Sequence, residues 1–244
     1  MSTLSHLPHL AHLTWATLAD KSILETGATV FAFLAAVRLS RFLGNHPLLN
    51  PTLLAILFIA IGIEATGVPY EVYLRGSDPV HFMLGPAVVL LAVPLFRQTA
   101  TIRASGRLIA IGLLVGLPVG VLSAMGIAWA LGASPQTILS LAPKSVTAGI
   151  AVGVSEQIGG LQNLTIVLVI MTGITGAVLG PILTRLAGVH DPRVVGLSMG
   201  IASHGIGTAR ALQINEVAGA FSSLGMGLNG VLTAVILPLV LRFF

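Results

Sequence analysis

Charge and cysteine are the two things that this chain has least of. Charged residues make up 8% of its 244 residues, whereas soluble domains carry about 25%, so the chain cannot cover a water-facing surface. It has no cysteine, which excludes thiol catalysis, disulfides and cysteine-bound zinc. Lysine occurs only at Lys21 and Lys144. Because no basic cluster suits nucleic acid, we expect no nucleic-acid partner.

Long apolar runs take the place of the missing charge. Hydrophobic residues make up 55% of the chain, and its mean hydropathy is +0.98. Residues 157–184 and 217–241 carry no charge, and each run is longer than the stretch of about 20 residues that crosses a bilayer. We therefore predict an all-α, polytopic membrane protein with about six full transmembrane helices. They lie near residues 23–43, 48–65, 79–96, 107–131, 162–187 and 215–242.

Two further apolar segments, 138–160 and 194–212, are less regular, since each holds charge and small polar residues. We predict that both are broken or re-entrant helical elements, because non-helical backbone is tolerated at membrane depth where it lines a cavity. Full crossing of the membrane by 138–160 is the alternative. No internal repeat is visible by eye, but inverted repeats can diverge beyond recognition, so an inverted repeat stays open.

The placement of arginine predicts the orientation. Arginines follow the first and third predicted spans, which puts both loops in the cytoplasm and the N-terminus outside. A re-entrant 138–160 keeps Arg185 and Arg193 in the cytoplasm as well, whereas full crossing would put them outside. We expect residues 1–22 to form an interfacial segment and 23–244 to form a single transmembrane domain in a bacterial cytoplasmic membrane. The loop arginines are Arg38, Arg41, Arg97, Arg103 and Arg107.

Glycines spaced four apart predict close helix packing. On a helix such glycines stack on one face and let backbones approach each other, so we read each set as a packing seam. The sets are Gly112/Gly116/Gly120, Gly149/Gly153, Gly176/Gly180 and Gly196/Gly200.

The first polar cluster is Pro143-Lys144-Ser145-Val146-Thr147. It is typical of a helix start, where backbone N–H groups attract an anion and Lys144 would add a full charge. The alternative is a simple helix cap whose lysine reaches towards an interface. Glu156 follows among apolar residues and is a candidate proton or cation site. The alternative for Glu156 is an interfacial carboxylate beside the Gly159-Gly160 turn.

The second cluster runs from Ser203 through His204 to Thr208 and Arg210. Arginine binds a carboxylate with two parallel N–H bonds, histidine exchanges a proton near neutral pH, and the two hydroxyls can orient an organic acid. The alternative is an Arg210–Glu216 pair beside a histidine with ordinary hydrogen bonds. Asn229, in a glycine-rich stretch, is a further binding candidate, although single amides more often join helices.

Enzyme motifs are missing from the chain. It contains no His-Glu-x-x-His, no Gly-x-Ser-x-Gly and no P-loop, and a Ser155–His204 dyad has no supporting pattern. We therefore expect no enzymatic activity, no cofactor and no metal site. His6, His9 and His12 recur at helical spacing, but no carboxylate or cysteine joins them. An interfacial helix with Trp15 near the headgroups is the favoured interpretation.

Several of these stretches resemble the LrgB/CidB family of bacterial membrane proteins. The resemblance runs from about residue 25 to the end, and the stretch His204–Arg210 is its most specific part. One departure is Lys144, where the family more often has arginine. The other matching stretches are Asn50-Pro51, Lys144–Thr147, Ile158–Gly160 with Leu164-Thr165, Thr172–Ala177 with Gly180-Pro181, and Gly219–Leu224.

The resemblance implies two functions. Such proteins are described as holin-like modulators of murein hydrolases that act beside a small LrgA/CidA-type partner, and related proteins look like carriers of glycolate, glycerate or pyruvate. We expect a homo-oligomeric secondary transporter of small monocarboxylates, and a holin-like pore or interaction protein is the alternative. In the transporter, Lys144 and Arg210 would bind the carboxylate, and His204 or Glu156 would carry a coupling proton. The orienting residues would be Ser145, Thr147, Ser203, Thr208 and Asn229.

Overall fold

The computed structural model describes residues 23–44, 49 and 51–241, and no β-strand occurs in that part of the chain. This confirms the predicted all-α class. The expected interfacial segment, with its histidines and Trp15, and also Asn50 lie outside the described residues. The helices are α1 (Ile23–Phe42), α2 (Pro51–Thr66), α3 (Tyr70–Gly76), α4 (Asp78–Leu90), α5 (Ala92–Arg97), α6 (Thr99–Ala104), α7 (Gly106–Ala130), α8 (Pro135–Leu141), α9 (Ala148–Ile158), α10 (Gln162–Leu186), α11 (Pro192–Ile214) and α12 (Glu216–Leu241).

The helices form two compact units, one up to Leu90 and one from Leu91 onwards. In the first unit α1 packs against α2 through a small buried cluster that includes Ala36 and Leu54. A hydrogen bond of 2.6 Å between Thr29 Oγ1 and the Tyr73 hydroxyl joins α1 to α3. The candidate functional residues all lie in the second unit, and the expectation of a single transmembrane domain stays a prediction.

Four stretches within the described residues are long and apolar enough to cross a membrane. The predicted span near 48–65 is the shorter apolar helix α2, with 16 residues. Large apolar side chains such as Leu114 and Leu122 of α7 are 74% and 67% exposed, which is unfavourable in water and natural in lipid. The chain is therefore a multi-pass membrane protein. The four stretches are Asp78–Arg97, Gly106–Ala130, Gln162–Leu186 and Glu216–Leu241.

Residues 135–160 form a re-entrant element that we name the first hairpin. After α9 the chain returns to the level of α8, because the Leu161 backbone N–H donates to Ser140 Oγ at 2.7 Å. The Thr165 hydroxyl donates to the Ser140 carbonyl at 3.1 Å. Since α10 then begins where α8 lies, the segment enters and leaves at the same end of the unit, which supports the re-entrant interpretation over full crossing.

The packing of α9 against α10 also supports the re-entrant interpretation of the first hairpin. Ser155 Oγ lies 2.7 Å from Thr165 Oγ1, and Val146 and Ala151 form a buried cluster with Val169. Residues earlier in the hairpin therefore meet residues later in α10, so the two helices are antiparallel. The tip of the first hairpin, residues 142–147, lies part of the way along α10.

Helix α11 is a second re-entrant element, which we name the second hairpin. Its helical geometry breaks at Ser203 (φ −136°, ψ 17°) and His204 (φ 40°, ψ −135°). A positive φ is uncommon for a residue other than glycine, and here it turns the chain back. Ala211 of the returning half packs in one buried cluster with Val195 of the entering half, so the two halves are antiparallel.

The neighbouring helix α12 confirms the reversal. Gly196 and Gly200 of the entering half lie against the backbone of Ala218 and Ser222 respectively, so that half runs parallel to α12. In the returning half, Thr208 Oγ1 lies 2.9 Å from Ser222 Oγ, while the later Leu212 lies against the earlier Gly219. The returning half is therefore antiparallel to α12.

Two polar contacts show which ends of the helices lie together. Arg193 Nη1 donates to Ser105 Oγ at 3.2 Å, which joins the starts of α11 and α7. Arg97 and Glu216 form an ion pair of 3.7 Å between the end of α5 and the start of α12. We name this the arginine end. The second hairpin enters from it, whereas the first hairpin follows the far end of α7, so the two hairpins enter from opposite ends as an inverted arrangement requires.

Most of the predicted glycine seams are close approaches between helices. A Cβ on Gly112 would lie 2.7 Å from Leu197 Cδ2, and one on Gly180 would lie 3.3 Å from Met199 Cγ. The prediction is wrong for Gly149 and Gly153, where an added Cβ would meet no described atom within 4 Å. Neither glycine is therefore a point of close approach between described helices.

Candidate functional site

The tips of the two hairpins meet around a cavity of about 80 Å³ in the second unit. The first hairpin contributes residues 142–146, and the second contributes Ile201 and Ala202 just before its break. Glycines of α7 leave space on one side, and polar residues of α12 lie on another. These are Gly116 and Gly120 of α7, and Asn229 and Thr233 of α12.

Local sequence explains why the first hairpin opens at Lys144. Ser134 caps α8 by accepting a hydrogen bond from the Thr137 backbone N–H at 3.3 Å, and α8 ends at Leu141. The chain then turns, with the Lys144 N–H donating to the Leu141 carbonyl and the Val146 N–H to the Pro143 carbonyl, both at 3.2 Å. The turn places the Lys144 side chain at the cavity.

Lys144 is a half-buried cation that has no carboxylate partner among the described residues. The ion pairs found there are Arg97–Glu216 and Arg193–Asp191. Within the part of the chain that the structure describes, the Lys144 ammonium donates only to Ser145 Oγ, over a long 3.4 Å. Because an ammonium has three donors, it keeps hydrogen-bonding capacity for an anion in the cavity.

Asn229 supplies the second polar group of the cavity wall. Its side chain is 2% exposed, and its Nδ2 donates to the Ile201 carbonyl at 3.0 Å. Its Oδ1 is buried and has no hydrogen-bond partner among the described residues. A buried acceptor without a donor is unfavourable by about 1–3 kcal/mol, so it requires an explanation.

Three predicted ligands of the second cluster instead contact the neighbouring helices α10 and α12 and the hairpin itself. The His204 ring, 5% exposed, donates from Nε2 to the Val169 carbonyl at 3.0 Å. Thr208 bonds to the His204 carbonyl at 2.8 Å and to Ser222. Ser203 is buried where Gly176 leaves room for its hydroxyl. None of the three lines the cavity.

Arg210 does not share the cavity with Lys144, contrary to the sequence expectation. It lies on the returning half of the second hairpin, where its Nη1 donates to Gln213 Oε1 at 3.0 Å. Six residues of helix carry it about 9 Å from the break towards the arginine end. The alternative pair with Glu216 is not formed either, since Glu216 contacts Arg97.

The remaining candidates also lie outside the cavity wall. Thr147 directly precedes α9 and makes no side-chain capping bond to it, and Glu156 is exposed near the end of that helix. Ser155 bonds to Thr165 and His204 bonds to Val169, and among the described residues no hydrogen bond joins Ser155 to His204. The described chain also holds no group of three residues that could bind a metal.

Sequence reasoning found Lys144, Ser145 and Asn229 but missed other parts of the wall. Thr233 is four residues after Asn229 and therefore on the same helix face, which is a signal that could have revealed it. The four-residue spacing of Gly116 and Gly120 predicts helix packing, yet both glycines also border the cavity.

The fold and the site define a class: a multi-pass helical membrane protein with two opposed re-entrant hairpins around a small cavity, lined by a lysine that has no carboxylate partner among the described residues. The model of the LrgB-like family matches residues 29–243. The chain belongs to the LrgB-like family, and this confirms the resemblance seen in the sequence.

Relatives in three bacteria cover most of the chain. It is 36% identical over 200 residues to the holin-like protein CidB of Staphylococcus epidermidis, which covers 82% of this chain and 87% of the relative. It is 34% identical over 216 residues to CidB of Staphylococcus aureus, with coverages of 88% and 94%. Identity to the uncharacterized protein YxaC of Bacillus subtilis is 37% over 217 residues, with the same coverages. No solved structure matches the chain.

Proposed function

We propose that this protein is a secondary transporter of small monocarboxylates of the glycolate, glycerate and pyruvate class. The observation that carries the proposal is the half-buried Lys144, which has no carboxylate partner in the described chain and lies where two opposed hairpins meet. An ammonium within an apolar unit is unfavourable without a partner, and such residues commonly mark a substrate path. An organic anion would supply the missing charge.

The size of the cavity supports a small substrate. Its volume is about 80 Å³, whereas pockets for drug-sized molecules have about 300–1,000 Å³. An acid with a few heavy atoms fits this volume, while a peptide or a sugar does not. Lys144 and Ser145 would bind the carboxylate, and Asn229 and Thr233 would face the remainder of the molecule.

The opposed hairpins supply a route to alternating access. Carriers often place their site where broken helices of inverted topology meet, and motion around that site opens it to one side at a time. In this arrangement one hairpin would separate the cavity from the arginine end and the other would separate it from the opposite end. Movement of either hairpin would expose Lys144 to one side of the membrane.

The positive-inside rule supports an orientation in the cytoplasmic membrane of a bacterium. Arg97 and Arg193 lie at the arginine end through their contacts with Glu216 and Ser105, so that end would face the cytoplasm. Three predicted spans precede Arg97, which would place the N-terminus outside. Proton coupling through His204 or Glu156 has less support, because neither side chain lines the cavity.

Uptake into proteoliposomes tests the proposal. Radiolabelled glycolate and pyruvate should enter saturably with the wild type, whereas Lys144→Ala should reduce uptake to background and Lys144→Arg should retain part of it. Arg210→Ala is the matched control, since it removes a cation outside the cavity and should leave uptake near the wild-type value. Undiminished uptake by correctly inserted Lys144→Ala would refute the assignment.

A holin-like pore is the second candidate, and the names of the CidB relatives favour it. In that case the chain would form a homo-oligomer, with or without a small LrgA/CidA-type partner, and modulate murein hydrolases. Release of dyes of graded size from liposomes separates the two candidates. A pore passes them without saturation and independently of Lys144, whereas a carrier retains them.

We also propose that the chain is not an enzyme. Ser155 is fully buried at 0% exposure and bonds to Thr165, so it lacks the base that a nucleophile requires. A fluorophosphonate probe should leave Ser155 unlabelled, and stoichiometric labelling would overturn this view.

A further inference from the structure

A second cavity lies within the first unit, between α1 and α2. This α1–α2 groove has a volume of about 450 Å³, several times that of the cavity at Lys144. Its walls are mostly apolar and include Phe31 and Ala35 of α1 and Phe58 of α2. Because Phe31 is 74% exposed, the groove is open at the surface of the unit, where a multi-pass protein meets acyl chains.

The polar residues that line the groove in the described chain lie at one end. They are Glu25 in the first turn of α1, Thr66 in the last turn of α2, and Tyr73 of α3. The hydroxyl groups of Thr29 and Tyr73 lie 2.6 Å apart, which holds α3 beside the start of α1. From Glu25 the groove therefore runs along α1 towards apolar residues.

The length of the groove matches one half of a bilayer. Ten residues of helix separate Glu25 from Ala35, the groove residue furthest along α1, which corresponds to about 15 Å. The hydrocarbon core of a bilayer is about 30 Å thick, so the acyl chains of one leaflet cover about 15 Å. A groove with a polar mouth and an apolar depth of this length fits the shape of a phospholipid.

Glu25 distinguishes one lipid headgroup from another. Its side chain is half-buried, and Gly76 of α3 leaves room for the carboxylate, since a Cβ there would lie 2.6 Å from Glu25 Oε2. No ion pair to Glu25 occurs among the described residues. A carboxylate without a cation attracts an ammonium group and repels a headgroup of net negative charge.

We propose that the α1–α2 groove binds one phospholipid whose headgroup ends in an ammonium group, with an acyl chain between α1 and α2 and the ammonium at Glu25. The inference does not rest on the proposed function, because no residue of the cavity at Lys144 takes part. The ion pair would be partly exposed, and such pairs correspond to about two- to fivefold in affinity. The site would thus select among membrane lipids by their headgroup.

Native mass spectrometry of the purified full chain tests this selection. The protein is released from nanodiscs that contain equal amounts of phosphatidylethanolamine and phosphatidylglycerol with identical acyl chains. The readout is the ratio of the two lipid adducts, which Glu25→Gln should lower by about two- to fivefold relative to the wild type. Lipids bound elsewhere on the protein contribute equally to both samples. An unchanged ratio in Glu25→Gln would overturn the proposal.

A neighbouring carboxylate supplies the matched control for this variant. Glu64 lies near the end of α2 and does not line the groove. Glu64→Gln removes the same charge from the same unit, so it should keep the wild-type ratio. A fall in the ratio as large as that in Glu25→Gln would show that the effect comes from net charge rather than from the groove, and would overturn the assignment.

Two glycine variants test the groove itself. Gly62 lines it, and an added Cβ would meet no described atom within 4 Å, so Gly62→Phe fills space without a clash. This variant should lose phosphatidylethanolamine adducts selectively, and it keeps the test open if Glu25→Gln does not fold. Gly85→Phe is its control, since Gly85 has equally open surroundings on α4 but does not line the groove. Equal adducts in the two variants would overturn the proposal.

Another occupant of the groove would give a different pattern. If the wild type is released as a lipid-free dimer and Gly62→Phe as a monomer, a second copy of the chain fills the groove and the proposal is wrong. If Gly62→Phe lowers the melting temperature in detergent without changing any lipid adduct, a segment of the same chain fills it, which also overturns the proposal.

Discussion

The two hairpins use their polar residues in opposite ways. The first hairpin turns Lys144 and Ser145 towards the cavity and leaves the lysine without an ionic partner in the described chain. The second hairpin uses its polar side chains in hydrogen bonds to neighbouring helices. His204 bonds to α10 and Thr208 bonds to α12. At the cavity it presents only Ile201 and Ala202.

Packing explains this difference. The second hairpin lies so close to α12 that backbone meets backbone at Gly196 and Gly200, and a sharp reversal at membrane depth leaves backbone groups that need partners. The first hairpin is more open, since an added Cβ at Gly149 or Gly153 of α9 would meet no described atom within 4 Å. A motif rich in polar residues can therefore stabilise a broken helix rather than bind a ligand, and sequence alone does not separate the two roles.

The largest expected effect comes from filling the tight glycine contact of the second hairpin. In Gly200→Ala the new Cβ would overlap the Ser222 carbonyl, and backbone atoms cannot move aside easily. We expect destabilisation by about 3 kcal/mol or more, measured by thermal melting of the protein in detergent. Gly149→Ala is the control in the first hairpin, where the Cβ meets open space and alanine favours the helix. Equal melting temperatures for the two variants would contradict the comparison.

The next effect comes from the histidine at the break. His204→Leu removes the hydrogen bond to the Val169 carbonyl and should destabilise the protein by about 1–3 kcal/mol. Because the ring does not line the cavity, transport per folded molecule should change little. Uptake and melting temperature are both measured for this variant. Complete loss of uptake at an unchanged melting temperature would show that His204 acts in transport instead.

A smaller effect distinguishes the roles of two hydroxyl groups, one in each hairpin. Thr208→Val should destabilise the protein by about 0.6–1 kcal/mol, as expected for a hydrogen bond between membrane helices, with substrate affinity retained. Ser145→Ala should do the reverse, leaving the melting temperature unchanged while weakening acid binding several-fold. The comparison fails if both variants change the same property.

The smallest expected effect is on the pH dependence of stability and concerns Asp191 at the arginine end, away from the hairpin tips. Hydrogen bonds from Arg193 hold the pKa of Asp191 below its ordinary value. A lowered pKa stabilises the folded state above the ordinary pKa of aspartate, and this contribution is lost as the pH falls through the lowered value. The melting temperatures of the wild type and Asp191→Asn should therefore differ slightly at neutral pH and converge in acid. A difference that grows in acid would contradict this sign.

Much of the second unit could be predicted because membrane insertion is a local requirement. Long uncharged runs identify α7, α10 and α12, and polar residues within the two remaining apolar segments identify the broken elements. Lys144 and Asn229 stand out for the same reason, since polar groups among apolar neighbours need partners. These conclusions depend only on composition within about one helix length.

The positions of Arg210, His204 and Glu156 relative to the cavity could not be predicted in this way. The reversal at residues 203–204 depends on room left by Gly173 and Gly176 of α10 and on hydrogen bonds to two other helices. Those contacts join residues far apart in the chain, and their geometry decides whether a side chain faces a cavity or another helix.

The order of the residues is enough to establish that this is a helical membrane protein of the LrgB-like family with charged groups inside apolar segments, because hydrophobicity and motif matching are properties of the chain. Long-range packing alone selects Lys144 and Asn229 for the cavity and assigns Arg210 and His204 elsewhere. The physical reason is that a side chain's partner is set by which helices pack together, and two antiparallel halves of one helix point their residues to different neighbours.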